Sequence, residues 1–447
     1  MDLSANKVNS TSQSIKIDKL NSSEWNQLVT EYNNVLSKAG ITPSSSTLTQ
    51  FKSAVEEIFD DTYELESEND GWEKPSDWID IRSGALSNSV YFLVAHSAPT
   101  GSAGSYTIAT YPQFAVKTTI SNSGTYDVFV DGMKVATTNS GSNTIVDWAA
   151  LYNNGTLISG YDVTYPSALT THVVRVTPSL DSNIISAIQC GSLSVTQGIL
   201  WAHFTTQESI SLDNAFNFVQ TLEVATCSGE TLKVSNLDSA FRFASALKSL
   251  CPLEGDGSAI SSWNAFRTCK FKELQLKNIT FNNSDSLFQE CTNLQDIVCD
   301  NVNLKVGTGT FIDCSNLKKL PSLVNNTNAS TSYPFLSYAS VLEDTVLDLS
   351  YAQTFTRFAI YGNSTNRIDG LKGLILSSEA PFDNTTSPQL NVSYTGLDKQ
   401  ALVTLFESMP TVTNNQICSI VGCTGTPYLT QEDKNIVLNK GWQLTVE

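Results

Sequence analysis

Apolar residues follow three successive periods along this chain. Near the start, Trp25, Leu28, Tyr32, Val35, Leu36 and Ala39 recur three and four residues apart, with Ser22 or Ser23 placed to cap and Gly40 placed to stop. That spacing predicts an amphipathic helix, and Leu48, Phe51, Val55, Ile58 and Phe59 predict a second. Two such helices cannot bury their stripes alone. Trp25, Leu28, Tyr32, Val35 and Leu36 are therefore expected to meet the next domain or the same stripe on other copies of the chain. From about 79 to 200 the period falls to two, and short strands are predicted at 90–95, 106–111, 114–120, 126–130, 133–137, 144–148 and 172–176. The clearest signal is YDVFVDGMKVAT, where Asp131-Gly132 suits a two-residue hairpin turn and Val128, Val130, Lys134 and Ala136 flank it in alternation. Several short, turn-punctuated strands predict a β-sandwich-like domain.

The third period is longer and comes from repetition. Phenylalanine returns at Phe216, Phe241, Phe266, Phe288, Phe311, Phe335 and Phe355, at intervals of 20 to 25 residues. Two copies show the unit best: LFQECTNLQDI, with Phe288, Cys291, Leu294 and Ile297, and TFIDCSNLKKL, with Phe311, Cys314, Leu317 and Leu320. Units of this size cannot bury their own apolar face and must stack on their neighbours, so the pattern predicts a solenoid. Cys269, Cys291 and Cys314 fall three residues after the phenylalanine, where other copies are expected to carry Val219, Ala244, Tyr338 and Phe358. A place filled by Cys, Val, Ala or an aromatic is an apolar core slot. Phe241, Phe266, Cys269, Phe288, Cys291, Leu294, Phe311, Cys314, Leu317 and Phe335 thus form the predicted repeat core. The chain closes with GLDKQALVTLFESMP, a capped helix with Leu402, Leu405 and Phe406 inward, and with LTQEDKNIVLNKGWQLTVE, a helix stopped by Gly441 and followed by a strand. A last repeat needs such a cap, because its apolar face would otherwise meet water.

The predicted fold is multidomain and β-rich: a helical attachment or oligomerisation segment with an acidic linker (1–70), a β-sandwich-like domain (71–200), a repeat solenoid (201–410) and a C-terminal cap (411–447). Composition agrees, since only 16% of the 447 residues are charged while Ser, Thr and Asn abound. A formal charge of −18 argues against nucleic acid as a partner, because phosphate binding needs clustered Lys and Arg. Between 56 and 80 eleven acidic residues face the single Lys74, which reads as a solvated linker; Trp72 and Trp78, around Pro75, are expected to anchor it on the next domain. No apolar run reaches the roughly 18 residues of a membrane span, and the first 30 residues lack a secretory pattern, so neither membrane insertion nor a signal peptide is expected. His96, His172 and His203 have no partner at triad or ligand spacing, Cys418 and Cys423 have no second pair, and HExxH, GxSxG and phosphate-cradling glycine loops are missing. No catalytic, cofactor or metal residue is predicted.

Two stretches carry resemblances. LNSSEWNQLVTEYNNVLSKAGITPSSSTLTQFKSAV, with its Gly40-Ile41-Thr42-Pro43, resembles the N-terminal segment of bacteriophage tail-fibre and virion-appendage proteins. That resemblance implies a place near the particle-attachment end and assembly into trimers. The repeats are similar to leucine-rich repeats of the type found on bacterial surfaces, matching well at Phe288 and Phe311 and more loosely at Phe216, Phe241 and Phe266. Together they imply a non-enzymatic, adhesive virion component made in the host cytoplasm, with other virion proteins and a bacterial surface protein or glycan as partners. A bacterial cell-surface adhesin and a virion-associated glycan depolymerase, whose carboxylates could converge in a solenoid groove, stand as the alternatives.

Overall fold

A computed structural model describes residues 73–100, 107–110, 113–148, 151, 170–191, 193, 198–305, 307–321, 334–350, 355, 357–379, 382, 389–413 and 416–447. The predicted helices, with Trp25, Leu28, Tyr32, Val35 and Leu36, lie outside these residues, as do Trp72 and most of the acidic run. All described residues belong to one unit, Asn69–Glu447.

The alternating segments become nine strands: β1 (Val90–Thr100), β2 (Thr107–Thr110), β3 (Gln113–Ile120), β4 (Thr125–Val130), β5 (Met133–Asn139), β6 (Asn143–Asp147), β7 (Thr170–Pro178), β8 (Ile185–Gln189) and β9 (Ile199–Phe204). Asp131 and Gly132 both take positive φ, so Val130 pairs directly with Met133 across a two-residue turn. β1 is buried on both faces, and its alternation sorts two cores. Val90, Phe92 and Val94 point to the main core, where the Phe92 ring lies 5.4 Å from that of Phe114 on β3. Tyr91, Leu93 and Ala95 point the other way and are covered by Trp78, Ile81, Leu200 and Trp201. Trp78 thus packs the segment before β1 onto that face of the sheet.

Residue 200 marks no break. β9 pairs antiparallel with β1 on one side and parallel with β11 (Val224–Cys227) on the other. β8 pairs antiparallel with β3 and parallel with β10 (Ile210–Ser211). One sheet therefore continues through β11 to β13 (Ser249–Leu250). The other continues through β12 (Leu232–Asn236), β14 (Leu253–Glu254) and β16 (Glu273–Lys277) to β18 (Asp296–Asp300). A short parallel pair, β15 (Ala259–Ile260) with β17 (Thr280–Phe281), lines the side of the array. Beyond it run β19 (Phe311–Ile312), β20 (Leu336–Ser337), β22 (Phe358–Tyr361), β24 (Leu390–Asn391), β25 (Ile417–Ser419) and β26 (Gln443–Thr445), with β21 (Thr345–Leu349) on β23 (Leu371–Leu376). The result is a β-solenoid of about nine turns, and one continuous core runs from Val90 to Trp442.

The phenylalanine ladder is the axis of that core. Phe216, Phe241, Phe266, Phe288 and Phe311 stack with centroids 5.4–6.0 Å apart and planes within 14° of each other. The next step differs. Phe311 aligns with Leu336, and Phe335 enters the stack edge-on, at 89°, from the neighbouring position. This one-residue slip corrects two expectations. Ala339, not Tyr338, fills the buried slot occupied by Cys314 in the previous turn, and Tyr338 is half-buried. The seventh rung is Phe358, 6.1 Å from Phe335, whereas Phe355 stacks on Phe382 in a side cluster that also takes Trp442.

Helix α1 (Lys399–Ser408) starts at an Asp398 cap and buries Leu402, Leu405 and Phe406. Helix α2 (Gln431–Leu438) starts at a Thr430–Asp433 capping box. Gly441 then turns the chain at φ +88°, where a Cβ would lie 2.0 Å from the Val412 carbonyl oxygen. Trp442 is buried beside it, and its indole donates to Pro410 O at 2.8 Å.

Candidate recognition edge

Each early turn of the array carries the same backbone corner around its core phenylalanine. Two residues before and two after that ring, φ is positive: Asn214 and Phe218, Ser239 and Phe243, Asn264 and Thr268, Ser286 and Glu290, Gly309 and Asp313. Bulky residues adopt this conformation at a cost of about 1–2 kcal/mol each. A ladder of bonds between turns offsets it: Asn214, Phe216 and Phe218 donate their N–H groups to the carbonyls of Asp238, Ala240 and Arg242, and Ser239, Phe241 and Phe243 donate to those of Trp263, Ala265 and Arg267. Recurrence with such varied side chains identifies the corner as architecture.

The cysteine column belongs to the same corner. Cys269 Sγ donates to Phe241 O at 3.3 Å, Cys291 Sγ to Phe266 O at 2.9 Å and Cys314 Sγ to Phe288 O at 3.0 Å. Burial pushes the Cys291 thiol up to about 12 and raises Cys269 and Cys314 well above the ordinary value, so all three stay protonated and able to donate. Sequence reasoning finds a small apolar slot here but not the donor, because Val219 and Ala244 occupy the same place without one. Phe241, Phe266, Phe288, Leu294, Phe311, Leu317 and Phe335 are likewise fully buried and unavailable to a ligand.

What the corner presents outward is variable. The residue two places after the core ring is Phe218, Phe243, Thr268, Glu290 and Asp313 in successive turns, and Tyr338 follows after the slip. Phe218 is 55% exposed and lies 4.8 Å from Phe243, and Trp263 on the same edge is 48% exposed. Between these rings sits Arg242, with its guanidinium carbon 5.7 Å from the Phe218 centroid, 4.8 Å from Phe243 and 5.8 Å from Trp263. Arg267 lies 5.1 Å over Phe243 and pairs with Glu290 at 2.7 Å. Burial, and the Arg267 charge after it, lower the Arg242 pKa from its ordinary value. On the next turns, burial and the Glu290 charge raise the Asp313 carboxyl.

Two histidines acquire partners that spacing hid. His172 Nδ1 lies 2.7 Å from Asp131 Oδ2 and its ring stacks on Trp148 at 4.9 Å, tying the hairpin turn to β7. Burial alone would raise the Asp131 carboxyl, but hydrogen bonds from His172 and the Val173 N–H hold it below the usual range. His203 bridges Thr226 at 2.9 Å and Ser228 at 3.1 Å, and burial followed by the Arg82 charge lowers its pKa to about 4. Elsewhere, Lys319, Leu320 and residues Glu343, Asp344, Thr345 and Val346 line a shallow, open depression. Among the described residues, no group of three or more His, Cys, Asp or Glu could hold a metal ion, and no helix is long and apolar enough to cross a membrane. Comparison with protein-family models, curated proteins and solved structures finds no match.

Proposed function

We propose that this chain is a non-enzymatic adhesive component of a bacteriophage particle, a tail fibre or related appendage. In this reading residues 1–70 attach to other virion proteins and assemble the chain, as trimers, through Trp25, Leu28, Tyr32, Val35 and Leu36. A β-sandwich formed by β1 to β9 then carries leucine-rich repeats of the bacterial-surface type, which face the host. The observation that carries the adhesive part is the corner column: a rigid backbone repeated turn after turn, with Phe218, Phe243, Thr268, Glu290, Asp313 and Tyr338 in equivalent places. A constant scaffold with a variable outward column suits surface recognition, and joining copies raises avidity without new contacts. The facing antiparallel sheets support the sandwich, and the Phe-x-x-Cys-x-x-Leu units support the repeat type.

Mass spectrometry of purified particles should find the chain, and the purified protein should compete with those particles for adsorption to host cells. Absence from particles, or adsorption that the free protein leaves unchanged, overturns the reading. A glycan-cleaving alternative draws on Glu290 and Asp313, which sit on successive turns close enough for the charge of one to raise the other. Glu290 is already engaged by Arg267 and Gln289, which weighs against it. Release of reducing ends from host polysaccharide, abolished by Asp313→Asn, would replace the adhesive reading with the enzymatic one.

A further inference from the structure

We propose that Arg242 and the rings around it form a binding site for a carboxylate-bearing sugar. The assignment rests on the reading of this edge as a recognition surface and names what it takes. Among the described residues, Arg242 has no ion pair, and its Nε, like that of Arg267, is buried without a hydrogen-bond partner. The charge that acts on it is a like one, Arg267, which Glu290 already neutralises. In a chain with 44 acidic and 26 basic residues, a half-buried arginine left without a carboxylate is poised for an anion from outside. Phe218, Phe243 and Trp263 hold the guanidinium by cation–π contact, so little side-chain freedom remains to be lost on binding.

Two features favour a sugar acid over an acidic peptide. The backbone N–H groups of Asn214, Phe216 and Phe218, and those of Ser239, Phe241 and Phe243, are already committed between turns, so an extended peptide cannot add here as a strand and must forgo its main-chain bonds. Phe218 and Trp263 are 55% and 48% exposed next to a single cation, and apolar ring surface beside a cation matches the C–H face of a pyranose beside its carboxylate. The site is also bounded. Past the Arg267–Glu290 pair the edge turns acidic at Asp313, so a long polyanion is disfavoured where a short acidic segment is accepted.

The test uses the full chain and three probes: digalacturonate, its methyl ester and galactobiose, with a Glu-rich tetrapeptide as a fourth arm, followed by ligand-observed NMR. Digalacturonate should bind in preference to both neutral sugars, and Arg242→Gln should weaken it about tenfold, the scale of one charge-assisted hydrogen bond. Arg242→Lys, which keeps the charge but loses the planar fork, should restore only part of that. Trp263→Ala should weaken binding as well, whereas Lys248→Gln, whose ion pair to Glu223 lies elsewhere, should not. Equal binding of the ester and the acid, binding of the peptide alone, or no effect of Arg242→Gln overturns the site. If the protein blocks adsorption and the Arg242→Gln and Trp263→Ala variants block it equally, the site fails while the adhesive reading stands. If the sugar binds but the chain is absent from particles, the adhesive virion reading fails and the site stands.

Discussion

The antiparallel region and the first turns of the solenoid share two sheets, yet they hold together by opposite means. In β1 to β9 the pairings are distant: Val90 meets Val176 on one side and Phe204 on the other, so the sheet closes only when the whole segment is in place. In the array each contact reaches one turn away, as Val224 meets Ser249 and Leu274 meets Ile297. Distant pairing gives all-or-none order, while neighbour pairing gives stability that accumulates turn by turn. Because β8 and β9 belong to both, the first turns of the array pair directly onto the antiparallel region.

The sharpest way to break this comparison is Phe92→Ala, which empties a position touching Phe114 and Phe216 at once. It should cost about 3–5 kcal/mol, and hydrogen exchange should show lost protection in the first solenoid turns as well as in β1 to β9. Protection retained after residue 210 would separate the two regions into independent units. Next in size, Cys291→Ala should cost about 1–2 kcal/mol in urea unfolding, and Cys291→Ser less, because a hydroxyl can still donate to Phe266 O. Equal losses would reduce the thiol to a volume filler. A smaller effect is expected at His203, which resists protonation when folded. The unfolded chain takes up the proton below about pH 6.5, the folded chain only near 4, so stability present above that window is lost as pH falls through it. The melting temperature of His203→Gln should therefore fall less than that of the wild type between those values. The smallest change is a gain: Thr268→Asn relieves a β-branched residue at φ +70° and should stabilise the fold by about 0.5–1 kcal/mol, read as a rise in melting temperature.

Much of the fold is legible because its signals are local. Asp131-Gly132 declares its turn, all seven strands expected between 90 and 176 are present, and the Leu402, Leu405 and Phe406 stripe marks α1. The repeat spacing predicts the solenoid. Continuity across residue 200 is hidden, because β10, β13 and β14 are only two residues long and two residues show no alternation. The slip at Leu336 is hidden too, since Phe335 still fills the ladder from one position away. The candidate recognition edge escapes for a different reason. Positive φ is usually announced by glycine, and of the ten corner positions around Phe216, Phe241, Phe266, Phe288 and Phe311 only Gly309 announces it. Phe218, Phe243 and Trp263 read in sequence as further apolar residues, with nothing to say that they point outward around Arg242.

The direction of the bonds between turns has a mechanical consequence. Those at the corners, from Asn214 to Asp238 onward, link one turn to the next along the axis of the stack, as do the parallel pairings of the sheets. Tension applied along that axis loads a single set at a time, so the array should yield by peeling one turn after another at modest force. In the antiparallel region, long strands such as β1 and β7 lie across the same axis and share their bonds over many residues. A chain pulled from its two ends would thus pay out length from the solenoid while the region at its base stays folded, which makes the array a compliant tether on a stiff mount.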